Sequence, residues 1–226
     1  MYNYIILSEK SWHHDLIFDL QKIFNKSNWI LVDNKADFNL ALLDTIKPDK
    51  IFIPHWSYII KEDILSNYEC IIFHMTDLPF GRGGSPLQNL ILRGIKETKI
   101  SALRATNELD AGPIYLKRKL SLDGSAQEIF NRSTLIICEM ISEIILHQIK
   151  PKKQKGDVVY FERRKPEQSN LENITNLNNF YDHVRMLDAE GYPKAFLENN
   201  NLKIEFFKIK KDSPNSLSAH VRIFKK

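Results

Sequence analysis

The chain has 226 residues, of which 43% are hydrophobic and 27% charged, with a formal net charge of +4. That is ordinary globular composition, enough for one good core or one core with a small appendage, and the charge is too slight to argue by itself for a nucleic-acid protein. Cys70 and Cys138, the two cysteines, both sit in apolar runs and speak against a disulfide framework or a zinc knuckle. No basic segment followed by a long apolar stretch opens the chain, and no apolar run approaches ~18 residues. Neither a signal peptide nor a membrane span is expected, and a cytoplasmic location is the default.

Tyr2 to Leu7 reads as a buried first strand, and Leu16 to Phe24 has helical spacing, with Leu16, Ile17, Leu20 and Phe24 on one face. Trp29 to Val32 predicts a second strand, Ala36 to Ile46 a helix stopped by Pro48, and Lys50 to Ile53 a third strand. A short helix at Glu62 to Leu65 precedes a fourth strand at Cys70 to Phe73. Leu78 to Pro86 is a Gly/Pro-rich loop, Leu87 to Gly94 a helix, Ile100 to Arg104 a strand, Asn107 to Gly112 a turn and Ile114 to Leu122 a strand. Ser125 to Lys150 is the strongest helix, with a wide apolar face from Ala126 to Ile145, and Pro151 stops it.

Strands alternating with helices, and strands apolar on both faces, predict an α/β fold: a Rossmann-like, mostly parallel sheet with helices on both faces. Ligands of such sheets bind beyond the carboxyl ends of the strands, where His55 and His74 fall. After residue 150 the composition shifts to a lysine- and arginine-rich stretch, then an Asn-rich one. A helix around Phe180 to Leu187 and strands at Lys203 to Ile209 and Ser218 to Phe224 follow. The expected organisation is a catalytic domain over residues 1–150, with a linker and a small C-terminal β-rich region over 151–226.

The chemistry concentrates between Phe73 and Gly112. His74 follows a strand, Leu78-Pro79 opens a loop, Arg82-Gly83-Gly84-Ser85-Pro86 leads into a helix, and Leu109-Asp110-Ala111-Gly112 closes the segment. A histidine after a strand is by itself more often structural than catalytic, and an aspartate before Ala-Gly is usually a turn residue. The ordered set closely resembles the folate-dependent formyltransferases, a family that includes methionyl-tRNA, glycinamide ribonucleotide and sugar-nucleotide N-formyltransferases. Phe161 to Pro166, Asp182 to Arg185 and Gly191 to Phe196 extend the resemblance to the region that follows the catalytic domain in sugar formyltransferases. One departure stands out: Ile72 occupies the position, two before the histidine, where the family carries an asparagine whose amide helps hold the formyl oxygen. Isoleucine donates no hydrogen bond. Thr76, or a backbone N–H, is the expected substitute.

The resemblance implies formyl transfer from 10-formyltetrahydrofolate to an amine, with no metal. His74 would donate to the formyl oxygen, and Asp110 would orient the ring and help take the amine proton. Trp56, Ser57, Tyr58, Ile59, Ile60 and Leu78 would line the pterin pocket, and Arg82, Gly83 and Ser85 would face the amine substrate. Arg82 is either a phosphate ligand or part of a loop salt bridge. For the acceptor, the C-terminal Tyr192-Pro193-Lys194-Ala195-Phe196 and the loop favour the amine of a nucleotide-linked amino-deoxysugar. Such a substrate, a UDP-4-amino-4,6-dideoxy sugar for example, belongs to surface-polysaccharide or pseudaminic-acid-type biosynthesis. Methionyl-tRNA formyltransferase is the alternative, against which the slight charge and small C-terminal region weigh. A non-catalytic folate- or nucleotide-binding homologue is the other. An exposed C-terminal β region could pair two chains into a homodimer. His13-His14-Asp15 is not a metal site by pattern, because adjacent residues on a helix point to different faces.

Overall fold

The structure, a computed structural model, describes residues 1–226. In chain order its elements are β1 (Asn3–Ser8), a 3₁₀ turn (Ser11–His13), α1 (His14–Ile23), β2 (Asn28–Val32), α2 (Leu40–Ile46), β3 (Lys50–His55), α3 (Glu62–Asn67) and β4 (Cys70–His74). There follow β5 (Phe80–Gly83), α4 (Pro86–Leu92), β6 (Glu97–Arg104), β7 (Ile114–Ser121), α5 (Ala126–Leu146) and β8 (Val159–Phe161). A second 3₁₀ turn (Pro166–Ser169), α6 (Leu177–Arg185), β9 (Ala195–Glu198), β10 (Leu202–Ser213) and β11 (Ser216–Lys225) complete the chain. These segments form two units, one of residues 1–83, 99–120 and 131–160, the other of residues 84–98, 121–130 and 161–226.

The first unit is built on a sheet of order β2-β1-β3-β4-β6-β7, parallel through β4 and antiparallel from β4 to β6. Because side chains alternate along a strand, the buried strands feed two separate cores. One face carries Ile5, Leu7, Ile51, Ile53 and Cys70 against Leu43 of α2 and Ile64 of α3. The other carries Tyr4, Phe52 and Phe73, joined by Trp29, with ring centroids 4.7–6.4 Å apart, and Phe24 at the end of α1 packs on Trp29 at 6.1 Å. Each fully buried Ile, Leu or Phe stabilises by about 1.5–3 kcal/mol relative to exposure. This is the mostly parallel, double-faced sheet that the apolar runs predict.

Three elements differ from expectation for local reasons. α2 begins at Leu40 rather than Ala36, because the Asn39 side chain accepts the Leu42 N–H at 3.0 Å and caps the helix there. α5 ends at Leu146, short of Lys150 and Pro151, where Gln148 turns left-handed at φ 46°. The Gly/Pro-rich loop contains a strand, β5, which pairs with β8.

The second unit joins α4, α6 and the antiparallel sheet β11-β10-β9. The Gln88 amide donates to Met186 O at 3.1 Å. The guanidinium of Arg185, 5% exposed, is spent on Asp182, Leu122 O and Gly124 O. The β-rich C-terminal region is therefore present, with β9 added to the two strands expected. No helix is long and apolar enough to cross a membrane.

Candidate active site

The first unit brings His74 and Asp110 together. His74 closes β4 in register with Ser101 of β6, so the ring stands at the carboxyl end of the parallel strands. Ser101 then fixes the chain beyond it: its Oγ donates to Thr76 O at 2.7 Å and accepts from the Leu78 N–H at 3.3 Å. Lys99 and Lys117 hold Asp77 from two sides, at 2.9 and 2.5 Å, and their hydrogen bonds bring its carboxyl below the usual range despite partial burial.

β5 returns the chain over the ring. The Nε2 of His74 lies 2.8 Å from Gly81 O, an acceptor, so Nε2 carries a proton and donates. Nδ1 faces Asp110 Oδ2 at 3.7 Å. That same Oδ2 accepts the Gly83 N–H at 2.9 Å. Gly81 and Gly83 have φ of 82° and 110°, values that L side chains rarely adopt, and these are the residues whose backbone groups hold the pair. Both side chains are buried, at 8% and 9% residue exposure, where ionic contacts are poorly screened.

The loop carrying Asp110 is braced by residues that the motif does not show. The side chain of Gln154 donates to Asp110 O at 2.7 Å and to Gly112 O at 2.9 Å. Its oxygen accepts from Arg82 Nε and Nη2, at 3.2 and 2.9 Å, while Arg82 Nη1 pairs with Glu108 at 3.0 Å. Gln154 lies in the lysine-rich stretch that reads as a solvated linker, and nothing in its neighbours' composition marks it. Gly112 is fixed by space: a Cβ there would lie 1.8 Å from Arg104 O. Gly112→Ala is expected to cost more than about 4 kcal/mol, the range reserved for gross steric conflict. The check is the denaturation midpoint, and an unchanged midpoint would show that the loop can step aside.

The other expected site residues are distributed unevenly. Arg82 is 7% exposed and engaged by Glu108 and Gln154, so its guanidinium sits in the loop salt bridge and is not held open for a phosphate. Thr76 is fully buried and its hydroxyl donates to Gly81 O at 3.3 Å, which steadies the carbonyl that His74 uses and leaves no donor open to a formyl oxygen. Leu78 is a core residue, 1% exposed, available to a ligand only through its backbone. Ser85 belongs to the second unit, where its Oγ accepts the Arg164 N–H at 3.0 Å.

Beyond β3, Trp56 packs edge-on to Phe38 and Tyr58, at 5.9 and 5.2 Å, and Ser57 is exposed. Tyr58 is 39% and Ile59 94% exposed. Exposed apolar and aromatic side chains at this edge of the sheet are what a flat heterocycle would cover. Ile72 shares the face of Cys70 and His74 and packs with Trp56 and Ile60 against the aliphatic core. The position from which an amide would reach past His74 is therefore apolar. No group of three or more His, Cys, Asp or Glu side chains is placed to hold a metal ion.

Comparison with known proteins adds to this geometry. Residues 19–132 match the family described as formyl transferase, and residues 166–224 the methionyl-tRNA formyltransferase C-terminal domain. The methionyl-tRNA formyltransferase of Thermotoga neapolitana is 27% identical over 177 residues, covering 73% of this chain and 56% of that protein. The chain thus spans little more than half the length of that curated relative. A solved structure named methionyl-tRNA formyltransferase from Clostridium thermocellum is 43% identical, with TM-score 0.96 and full coverage of both chains. More distant in sequence, and similar in fold, are two others. HypX from Aquifex aeolicus in complex with tetrahydrofolic acid is 18% identical with TM-score 0.73, over 94% of this chain and 39% of that one. A likely sugar N-formyltransferase from Mycobacterium tuberculosis is 17% identical with TM-score 0.70, over 88% and 93%.

Proposed function

This chain belongs to the formyl transferase family, and we propose that it moves the formyl group of 10-formyltetrahydrofolate onto a primary amine. The observation that carries the proposal is the buried His74–Asp110 pair, held by the Gly81 carbonyl and the Gly83 N–H at the carboxyl edge of the sheet. The bound folate supplies an activated formyl carbon and a nitrogen leaving group. The amine nitrogen bonds to that carbon, the carbon–nitrogen bond to the folate breaks, and one proton passes from the amine to the leaving nitrogen. His74 and Asp110 handle that proton. With Nε2 committed to Gly81 O, the edge that meets substrate is Nδ1, beside Asp110. With Nε2 already donating, Nδ1 carries a proton only in the doubly protonated ring, and in that form it can donate to the formyl oxygen as charge develops there. The carboxylate of Asp110 can accept the amine's proton, directly or through a water. Trp56, Ser57, Tyr58, Ile59 and Ile60 would cover the pterin, with the Leu78 backbone at its edge.

On the acceptor, relatives bearing the name methionyl-tRNA formyltransferase, at 43% and 27% identity, favour the amine of methionyl-tRNA over the nucleotide-linked amino sugar expected from sequence motifs. The match of residues 166–224 supports the same preference. The amino-sugar acceptor keeps one specific support, the Tyr192-Pro193-Lys194-Ala195-Phe196 segment, which enters β9. Purified protein with 10-formyltetrahydrofolate and each acceptor in turn decides between them. Formylation of Met-tRNA is the expected result, and turnover only with a nucleotide amino sugar would reverse the order. Folate binding without turnover on any amine would overturn the transfer reaction itself.

We also propose that two chains pair through β11. It is an edge strand, and it exposes Val221, Ile223 and Phe224 at 48%, 59% and 40%. Such an edge is a template for another strand. The mass in solution, measured by light scattering, should be that of a dimer, and Ile223→Lys should shift it to a monomer.

A further inference from the structure

Between the end of α5 and β8 the chain runs through Lys152-Lys153-Gln154-Lys155-Gly156-Asp157-Val158, a stretch with the composition of a solvated connector. Its backbone is nonetheless anchored to the two segments that carry the site. Lys152 exchanges both backbone hydrogen bonds with Ile114, at 2.7 and 2.8 Å, just past the Asp110 loop. The Val159 N–H donates to Pro79 O at 3.2 Å, in the turn between His74 and β5. All of these residues belong to the first unit. Lys152, Lys153, Lys155 and Asp157 are exposed, and Gln154 among them is half-buried.

The amide of Gln154 is satisfied at both ends and can stand only one way round. Asp110 O and Gly112 O are acceptors only, so they face its Nε2, at 2.7 and 2.9 Å. The guanidinium of Arg82 is a donor only, so it faces Oε1, at 3.2 and 2.9 Å. These contacts reach both partners of the hydrogen bond that aims the carboxylate. One partner is Asp110, whose Oδ2 faces His74 and accepts the Gly83 N–H. The other is Gly83, which follows Arg82 in the chain. Gln154 thus grips Asp110 by its own carbonyl and Gly83 through the neighbouring side chain.

Asp110 needs such a grip. Its φ of 50° is left-handed, a conformation that an L residue keeps only where its surroundings enforce it. The loop's own hydrogen bonds are longer, with Thr106 Oγ1 and the Ala111 N–H both reaching Glu108 O, at 3.1 and 3.3 Å. The two shorter bonds from Gln154 hold the chain at the left-handed residue and just beyond it.

We propose that Gln154 is a positioning residue of the transfer reaction. Through the carbonyls of the Asp110 loop, and through Arg82, it sets the Asp110 carboxylate against His74. The role rests on the formyl-transfer reading, because it is exercised through Asp110.

Gln154→Glu is the discriminating variant. It keeps an oxygen for Arg82 and removes the donor that Asp110 O and Gly112 O require. A misplacement of about 1 Å can cost on the order of 10²-fold in rate. Gln154→Glu should therefore lower kcat by roughly 10–10²-fold, with both KM values and the melting curve close to those of wild type. In an Asp110→Asn background the same change should have little further effect on kcat, since a residue that acts through the carboxylate then has nothing to position. Exchange of the Gly83 N–H, followed by NMR, should be about tenfold faster in Gln154→Glu, and faster again in Gln154→Leu, which also abandons Arg82. Wild-type kcat in Gln154→Glu overturns the role, and so do fully multiplicative losses in the double variant. Unchanged Gly83 exchange in both variants overturns it as well. Exchange needs no turnover: if wild type forms no product and the variants still exchange faster, Gln154 stands as the residue that sets Asp110 and the transfer reading falls alone.

Discussion

His74→Ala is expected to lower kcat for formyl transfer by roughly 10²–10⁴, the span of a lost charge-stabilising donor combined with a lost proton carrier. The stability change should be modest, about 1–2 kcal/mol, since one buried hydrogen bond to Gly81 O disappears together with the ring. Rate and stability separate because the loop over His74 is also held elsewhere, by Ser101, Thr76, Asp77 and the pairing of β5 with β8. Single-turnover rates and a melting curve measure the two effects side by side. A near-normal rate in a folded His74→Ala protein would remove the ring from the mechanism.

Asp110→Asn should be comparably damaging, again by about 10²–10⁴ in kcat, and it is the cleaner experiment. Asp110 has φ of 50°, in the left-handed region that aspartate, asparagine and glycine enter most readily. Asparagine keeps that backbone, and its side-chain oxygen can still accept the Gly83 N–H. What it removes is the negative charge 3.7 Å from His74 Nδ1 and the capacity to take a proton. Alanine would add backbone strain to the chemical loss and blur the result. Retention of most of the wild-type rate by Asp110→Asn would assign Asp110 to loop structure alone.

The central sheet is legible in the sequence because its strands are short apolar runs, such as Tyr4 to Leu7 and Ile51 to Ile53, and burial on both faces demands them. α1 declares itself by the spacing of Leu16 and Leu20. The His74–Asp110 pairing is legible only through the motif, since the two residues lie on different elements 36 positions apart. β5 is hidden, because Phe80-Gly81-Arg82-Gly83 has no apolar alternation and becomes a strand through backbone pairing with β8. Gln154 is hidden for a related reason. A single amide among lysines has no local signature, and its role exists only where folding sets it beside Arg82 and the Asp110 loop. Thr76 and Arg82 were visible as polar residues in the right segment, but which partners would consume them was not written in their spacing.

The left-handed backbone at Asp110 has a consequence for how this lineage can drift. Aspartate codons reach asparagine and glycine by single base changes, and those two are also the residues this conformation accepts at little steric cost. The easiest substitutions at the position therefore spare the fold while removing the carboxylate. Loss of catalysis need not be purged as misfolding, and a descendant could persist as a well-folded binding protein bearing nearly every outward mark of the enzyme.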